Sequence, residues 1–200
     1  MRLFVALNLP EAVRQWLAGR QEDLQHFLPP SGLRWTPPEQ WHVTLRFLGE
    51  CPEHQIPAIL AAMKRAAAEA DPFSLAFAKP GTFSGPRMGV LWLGVETGLE
   101  PLKSLVNHLN SNLEAESFPA EKRPFRAHIT LARSRSRIPT SLLRDFALAV
   151  PCPPARIDSF HLYRSTLGPG GAKYTILHTV RLDRERRGTQ TAGDLSGGVP

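Results

Sequence analysis

The sequence predicts an α+β fold of two similar lobes around a central cleft, and three observations predict it. Two tetrapeptides, His42-Val43-Thr44-Leu45 and His128-Ile129-Thr130-Leu131, share the pattern His-x-Thr-x within short apolar, β-branched runs. The elements around each follow one order: strand, helix, strand, helix, strand. The spacing agrees too, with 39 positions from Leu3 to His42 and 38 from Val90 to His128. A repeat of nearly half the chain is too long for a solenoid, so it reads as an ancient duplication whose halves share one body.

Taken in order, residues 2–9 alternate and end at Pro10, as a strand entering a helix N-terminus does. Residues 11–27 carry Val13, Leu17, Leu24 and Phe27 at helical spacing. Pro29 to Gln40 is rich in Pro and Gly and reads as a loop. A strand over 41–48 holds the first motif and stops at Gly49; an alanine-rich helix follows, about 55–70. Phe73 to Phe77 alternates, Gly81 to Pro86 has the composition of a hairpin turn, and Met88 to Val95 is a strong strand. A helix from about 98 to 115 runs through Leu102, Leu105, Val106, Leu109 and Leu113. After a loop at Pro119 to Pro124, strand 126–132 carries the second motif. A helix over roughly 139–148, a strand over 155–164, a Gly-Pro-Gly-Gly hairpin at 168–171 and a strand over 173–181 complete the pattern. The domain is therefore read as 1–182, with its second half starting near 88. The segment 183–200 is small, polar and basic, and is expected to be a disordered tail.

Composition narrows the class of protein. The apolar fraction of 42% is that of a folded globular chain, and no apolar stretch is long enough to span a bilayer. The run Leu3 to Leu9 is short for a signal peptide and no small-residue cleavage site follows it. Cys51 and Cys152 form no CxxC and have no histidine at zinc-ligand spacing, so reduced thiols, no metal and a cytoplasmic location are expected. The formal charge is +6 and the pI about 9.9. A basic pI becomes an argument for nucleic acid only where arginines converge on a site.

The motifs supply such a site. Side chains alternate along a strand, so His and Thr two apart share a face. Two such faces brought together hold two imidazoles and two hydroxyls. One imidazole can act as base while the other acts as acid, and the hydroxyls of Thr44 and Thr130 can donate to non-bridging phosphate oxygens. That equipment suits in-line displacement at phosphorus. By strand parity Arg126 shares the face of His128, and Arg46 shares that of His42. Arg133 lies where the strand ends and can reach phosphate bidentately. Trp35 is a candidate for stacking on a base. Phe47 and Phe125 have the opposite parity and are expected in the core. His26, His54 and His108 lie on helices or their ends, and His161 and His178, lacking a matching Thr, are read as structural.

These residues resemble the 2H phosphoesterases, and most closely the bacterial RNA 2′,3′-cyclic phosphodiesterases, also called 2′-5′ RNA ligases. The resemblance runs from Arg2 to about Leu182, through RLFVALNLP, LRWTPPEQWHVTLRFLGE, VLWLGVE, RPFRAHITLAR and FHLYRSTLGPGGAKY. Ala127 departs from it, since proline is common before the second His. The resemblance implies two lobes related by a pseudo-two-fold axis, with antiparallel sheets lining a groove and helices on their outer faces. It implies hydrolysis of RNA 2′,3′-cyclic phosphate ends to 2′-phosphomonoesters, with His42, Thr44, His128 and Thr130 as the site and Arg126 and Arg133 as phosphate or RNA contacts. No metal, nucleotide cofactor or membrane is expected, and the chain has no GxxxxGK[ST] phosphate loop. The reverse reaction would join RNA ends through a 2′-5′ bond. A 2′-product requires the 3′-oxygen to leave; His42 is taken as the acid and His128 as the base, with the reverse left open by the near equivalence of the lobes. One chain already supplies both halves of a site, so a monomer is expected.

Two other readings remain at this level. The substrate can be a small cyclic phosphate or a short 2′-5′ oligonucleotide in place of an RNA end. The chain can instead bind RNA ends without turning them over, although a pure binder has no need of an acid–base pair.

Overall fold

The structure is a computed structural model describing residues 1–28, 32–85, 88–143, 151–168 and 171–182. The predicted helix over 139–148 lies partly outside these; its described part is a single 3-10 turn, Thr140–Leu143. The tail 183–200 and the hairpin centre at 169–170 lie outside as well.

Among the described residues, nine strands form one curled antiparallel sheet. They are β1 (Arg2–Leu7), β2 (Arg34–Trp35), β3 (Val43–Glu50), β4 (Phe73–Gly85), β5 (Met88–Thr97), β6 (His128–Ser134), β7 (Ala155–Ile157), β8 (Ser159–Gly168) and β9 (Gly171–Arg181). Their order across the sheet is β7-β4-β5-β6-β3-β1-β8-β9, and the short β2 pairs with β6. The order is symmetric about the β3–β6 contact, but the lobes are not consecutive halves of the chain. β4, from the first repeat, pairs with β5, whereas β8, from the second, pairs with β1. Each repeat thus gives a strand to the sheet of the other, β4 to that of the second and β8 to that of the first.

Three α-helices among the described residues cover one face: α1 (Glu11–Phe27), α2 (Ile56–Ala68) and α3 (Leu99–Ala115). Val13, Leu17 and Leu24 bury the inner side of α1, and Leu102, Leu105, Val106, Leu109 and Leu113 that of α3, as their spacing predicts. Each such leucine is fully removed from water, worth about 1.5–3 kcal/mol. α2 and α3 are cross-linked at the surface by Arg65, which bonds the Asn112 side chain at 2.8 Å and the Glu116 carboxylate at 2.6 Å. Gly98 opens α3 at φ +80°, and a Cβ there would lie 2.0 Å from the Ser74 carbonyl oxygen, so the tight β5–α3 turn requires glycine. With the helices on one face, the other face of the sheet is left to line a groove.

The hairpin Gly81 to Pro86 expected from composition is instead mostly strand. β4 continues to Gly85, and Gly81 pairs with Trp92. Glycine suits this position because the Trp92 indole lies against it, 2.3 Å from where a Cβ would stand. The predicted strand 155–164 is two strands, since β7 pairs with β4 and β8 with β1 on opposite sides of the sheet.

Candidate active site

Val43 and Ile129, the central residues of the two motifs, are antiparallel partners between β3 and β6. Continuing that register sets His42 opposite Thr130 and Thr44 opposite His128. Val43 and Ile129 are fully buried under the helices. The alternation of side chains therefore turns all four motif residues to the open face, where His42, Thr44, His128 and Thr130 are each half-buried.

Both imidazoles are held in the same way. His42 Nδ1 lies 2.7 Å from the Gln40 carbonyl oxygen, and His128 Nδ1 lies 2.7 Å from that of Arg126. A carbonyl only accepts, so Nδ1 carries the proton in both rings and Nε2 is left as the basic nitrogen. Aromatic rings fix the planes. Phe4 lies 5.0 Å from His42 and the edge-on Tyr174 5.2 Å; Phe83 stands perpendicular to His128 at 5.0 Å. Tyr174 reaches His42 because the β8–β9 hairpin curls over the groove, where Gln40 donates to the Ala172 carbonyl at 2.8 Å.

Burial is the main reason that both imidazoles resist protonation. His42 is pushed down to about 4, by burial first, against the raising effect of the Gln40 carbonyl, with further lowering from His128, Arg133 and Arg14. His128 is lowered by burial and by Arg133, partly offset by the Arg126 carbonyl. Each ring is thus neutral at pH 7 before an anion arrives, and a single cation, Arg133, acts on both.

Arg133 reaches the site through a β-bulge. In the β5–β6 ladder Trp92 pairs with Thr130 but Leu91 with Ala132, so Leu131 is an extra residue. The β1–β3 ladder slips at the matching place, with Ala6 paired to Thr44 and Val5 to Arg46, leaving Leu45 extra. One extra residue inverts the side-chain parity beyond it. The residue five after each histidine therefore returns to the histidine's face: Arg133 in the second lobe and Phe47 in the first.

The same bulge corrects two expectations from strand parity. Arg46 does not share the face of His42; it is buried on the helix side, where its guanidinium bonds Asn110 Oδ1 at 3.3 Å and the Pro119 carbonyl. Phe47, expected in the core, is 52% exposed, and its ring is 6.1 Å from Phe4. Trp35 is not a groove residue either. It pairs with Ala132 and packs on the core, whereas its neighbour Arg34 pairs with Arg133 on the open face. Phe125 packs on the core as expected. Arg126 precedes β6 and lies near His128, its guanidinium 5.5 Å from the Phe83 ring centre.

Several groove residues carried no signal in the sequence. Arg14, on α1, donates to the carbonyls of Leu9, Pro38 and Trp41, holding the approach to His42. Phe4, Tyr163, Tyr174, Phe83 and Trp92 line the two sides of the site. His161, read as structural, pairs with Ala6 on the face of Thr44, its Nδ1 2.9 Å from Thr179 Oγ1.

A family model for LigT-like phosphoesterases matches the chain twice, over residues 7–92 and 93–174. The chain belongs to the LigT-like phosphoesterases. It is 36% identical over 199 residues to the RNA 2′,3′-cyclic phosphodiesterase of Thermus thermophilus, covering 96% of each chain. It is 31% identical over 182 residues to that of Escherichia coli, covering 88% of this chain and 93% of the other. Among solved structures, it is similar to TT0787 of Thermus thermophilus, with a TM-score of 0.73 and 34% identity over 92% of this chain and 98% of the other. It is also similar to E. coli LigT complexed with 3′-AMP, with a TM-score of 0.69 and 30% identity over 91% and 98%.

In this LigT-like groove the described residues include no cluster of three His, Cys, Asp or Glu side chains placed to hold a metal. Cys51 and Cys152 are free thiols, and no described helix is long and apolar enough to cross a membrane. What the site offers is two basic nitrogens, two hydroxyls and Arg133 around one space.

Proposed function

We propose that this chain hydrolyses the 2′,3′-cyclic phosphate end of RNA to a 2′-phosphomonoester, using His42 and His128 as an acid–base pair. The observation that carries this reading is the Val43–Ile129 pairing, which sets two imidazoles with free Nε2 atoms and two threonine hydroxyls around one space. The names of the relatives from Thermus thermophilus and E. coli support it, as does the 3′-AMP complex of E. coli LigT.

The phosphate sits with its non-bridging oxygens on Thr44, Thr130 and Arg133. Its negative charge favours imidazolium, so the site gains a proton with its substrate. One histidine takes a proton from water as the water oxygen bonds to phosphorus. The other gives its proton to the 3′-oxygen as the P–O3′ bond breaks. The product is a 2′-phosphomonoester with a free 3′-hydroxyl, and the pair ends with its proton moved from one ring to the other. A 5′-hydroxyl of a second RNA in place of water would make the same steps a 2′-5′ ligation. The site is complete in one chain, so a monomer suffices.

The test is incubation with an RNA oligomer ending in a 2′,3′-cyclic phosphate, with EDTA present, separating 2′- from 3′-phosphate products. The expected result is clean conversion to the 2′-phosphate at a rate indifferent to EDTA. A 3′-phosphate product, or an untouched substrate, overturns the reaction proposed; strong inhibition by EDTA overturns its independence of metal.

A further inference from the structure

We infer that Arg34 forms a second phosphate subsite that takes the phosphodiester next to the cyclic end of an RNA chain; the inference rests on the reaction proposed above. Arg34 and Arg133 are direct cross-strand partners between β2 and β6. Like charges directly opposite one another weaken a sheet. Three arginines elsewhere in the molecule form ion pairs with acids: Arg20 with Asp23, Arg65 with Glu116 and Arg123 with Glu121. Neither Arg34 nor Arg133 has such a partner among the described residues, and both are exposed. Two adjacent guanidinium groups without a counter-charge make a place for anions.

One phosphate does not account for both. Past the bulge at Leu131, Arg133 returns to the face of the histidines, and its charge opposes protonation of both rings, so it stands at the reacting phosphate. Arg34, directly opposite it on β2, is not among the charges that act on either ring, so its guanidinium lies farther from the imidazoles. Trp35, packed on the core, and Thr36, whose N–H donates to the Leu131 carbonyl at 2.8 Å, keep this short strand and its arginine in place. The subsite therefore reads chain length: an oligomer supplies the second phosphate and a mononucleotide does not.

Three substrates test this: a cyclic mononucleotide, a short RNA with a cyclic end, and the same RNA with a neutral methylphosphonate at the linkage next to that end. In the wild-type protein the charged oligomer is expected to have kcat/KM roughly tenfold above the other two, the scale of one charge-assisted contact. R34Q is expected to abolish that preference mainly through KM, and R34K to restore part of it. The slope of log KM against log salt for the charged oligomer should fall by about 0.7 in R34Q, as for one lost phosphate contact on a single strand. Equal losses in R34Q on the charged and methylphosphonate oligomers overturn the subsite, as does a wild-type protein indifferent to length, and in both cases the reaction stands. No turnover of any of the three overturns the reaction and the subsite with it.

Discussion

Val43 pairs with Ile129, and among the described residues this is the one registered pair joining β3 to β6. The other ladders of the sheet hold longer runs, so the two lobes meet at the centres of the two motifs. The pseudo-two-fold axis passes through that pair and relates His42 to His128 and Thr44 to Thr130. A shift of one residue in this register would turn one motif toward the helices, so the fold and the chemistry depend on the same contact.

Removing either imidazole should stop the reaction without emptying the groove. H42A and H128A are each expected to lose about 10²–10⁴ in kcat, the usual worth of a positioned acid or base, while the 2′-phosphate product still binds. The division of roles is read with a substrate whose 3′-oxygen is replaced by sulfur, a leaving group that needs no protonation. With His42 as the acid, this substrate restores turnover to H42A and not to H128A. Rescue of H128A alone exchanges the roles, and full activity in either variant removes the two-histidine scheme.

The two His-x-Thr pairs were legible because His and Thr stand two apart, and no bulge comes between them. The helices were legible from spacing alone, and α1 has the bounds read from the sequence. Arg46, Phe47 and Trp35 were not. Parity counting assumes an unbroken ladder, and the bulge at Leu45 reverses the faces of Arg46 and Phe47. β2 is two residues long, inside a segment whose composition reads as loop, and only its pairing with β6 shows that Arg34 faces the groove and Trp35 the core. Tyr174 comes to His42 through the curl of a hairpin, which no local pattern encodes.

Arg46 gives a test of that reversal. Its guanidinium is buried and bonds Asn110 and the Pro119 carbonyl, away from both histidines. R46Q is expected to destabilise the fold by about 2–4 kcal/mol, since it leaves the Pro119 carbonyl with a poorer donor and loses buried packing. The kcat/KM of the folded protein should stay within about twofold, a difference under about 0.5 kcal/mol. Denaturant midpoints and active-site-normalised kinetics separate the two quantities. A large loss of kcat with an unchanged midpoint would return Arg46 to the groove.

Arg133 acts on both histidines, so its removal should be visible in both. R133M takes away a positive charge that opposes protonation of His42 and of His128. Both imidazoles are then expected to titrate at higher pH, read from the histidine ring proton signals in the free protein. Turnover should fall by about 10²–10³, the scale of a lost charge contact to the phosphoryl oxygens in the transition state. A shift in only one ring would place Arg133 in one lobe and not between the two.

The depressed proton affinities also set how stability and rate depend on acid. In the unfolded chain His42 titrates near its ordinary value of 6.5, and in the folded protein at about 4. Between those values the unfolded state binds the proton that the folded site refuses, so stability must fall as pH is lowered from 6.5 toward 4. His128 is lowered too and adds to the same slope. H42N, which cannot titrate, should flatten this part of a plot of urea midpoint against pH. Substrate reverses the effect on rate, because the phosphate charge favours imidazolium. The bell-shaped profile of kcat/KM, which reports the free protein, is therefore expected to centre below about pH 6.5, and that of kcat to lie at higher pH. The two apparent values in each profile belong to the coupled pair and not to one ring. Coincident profiles centred above about pH 7 would show that burial does not hold the free imidazoles neutral.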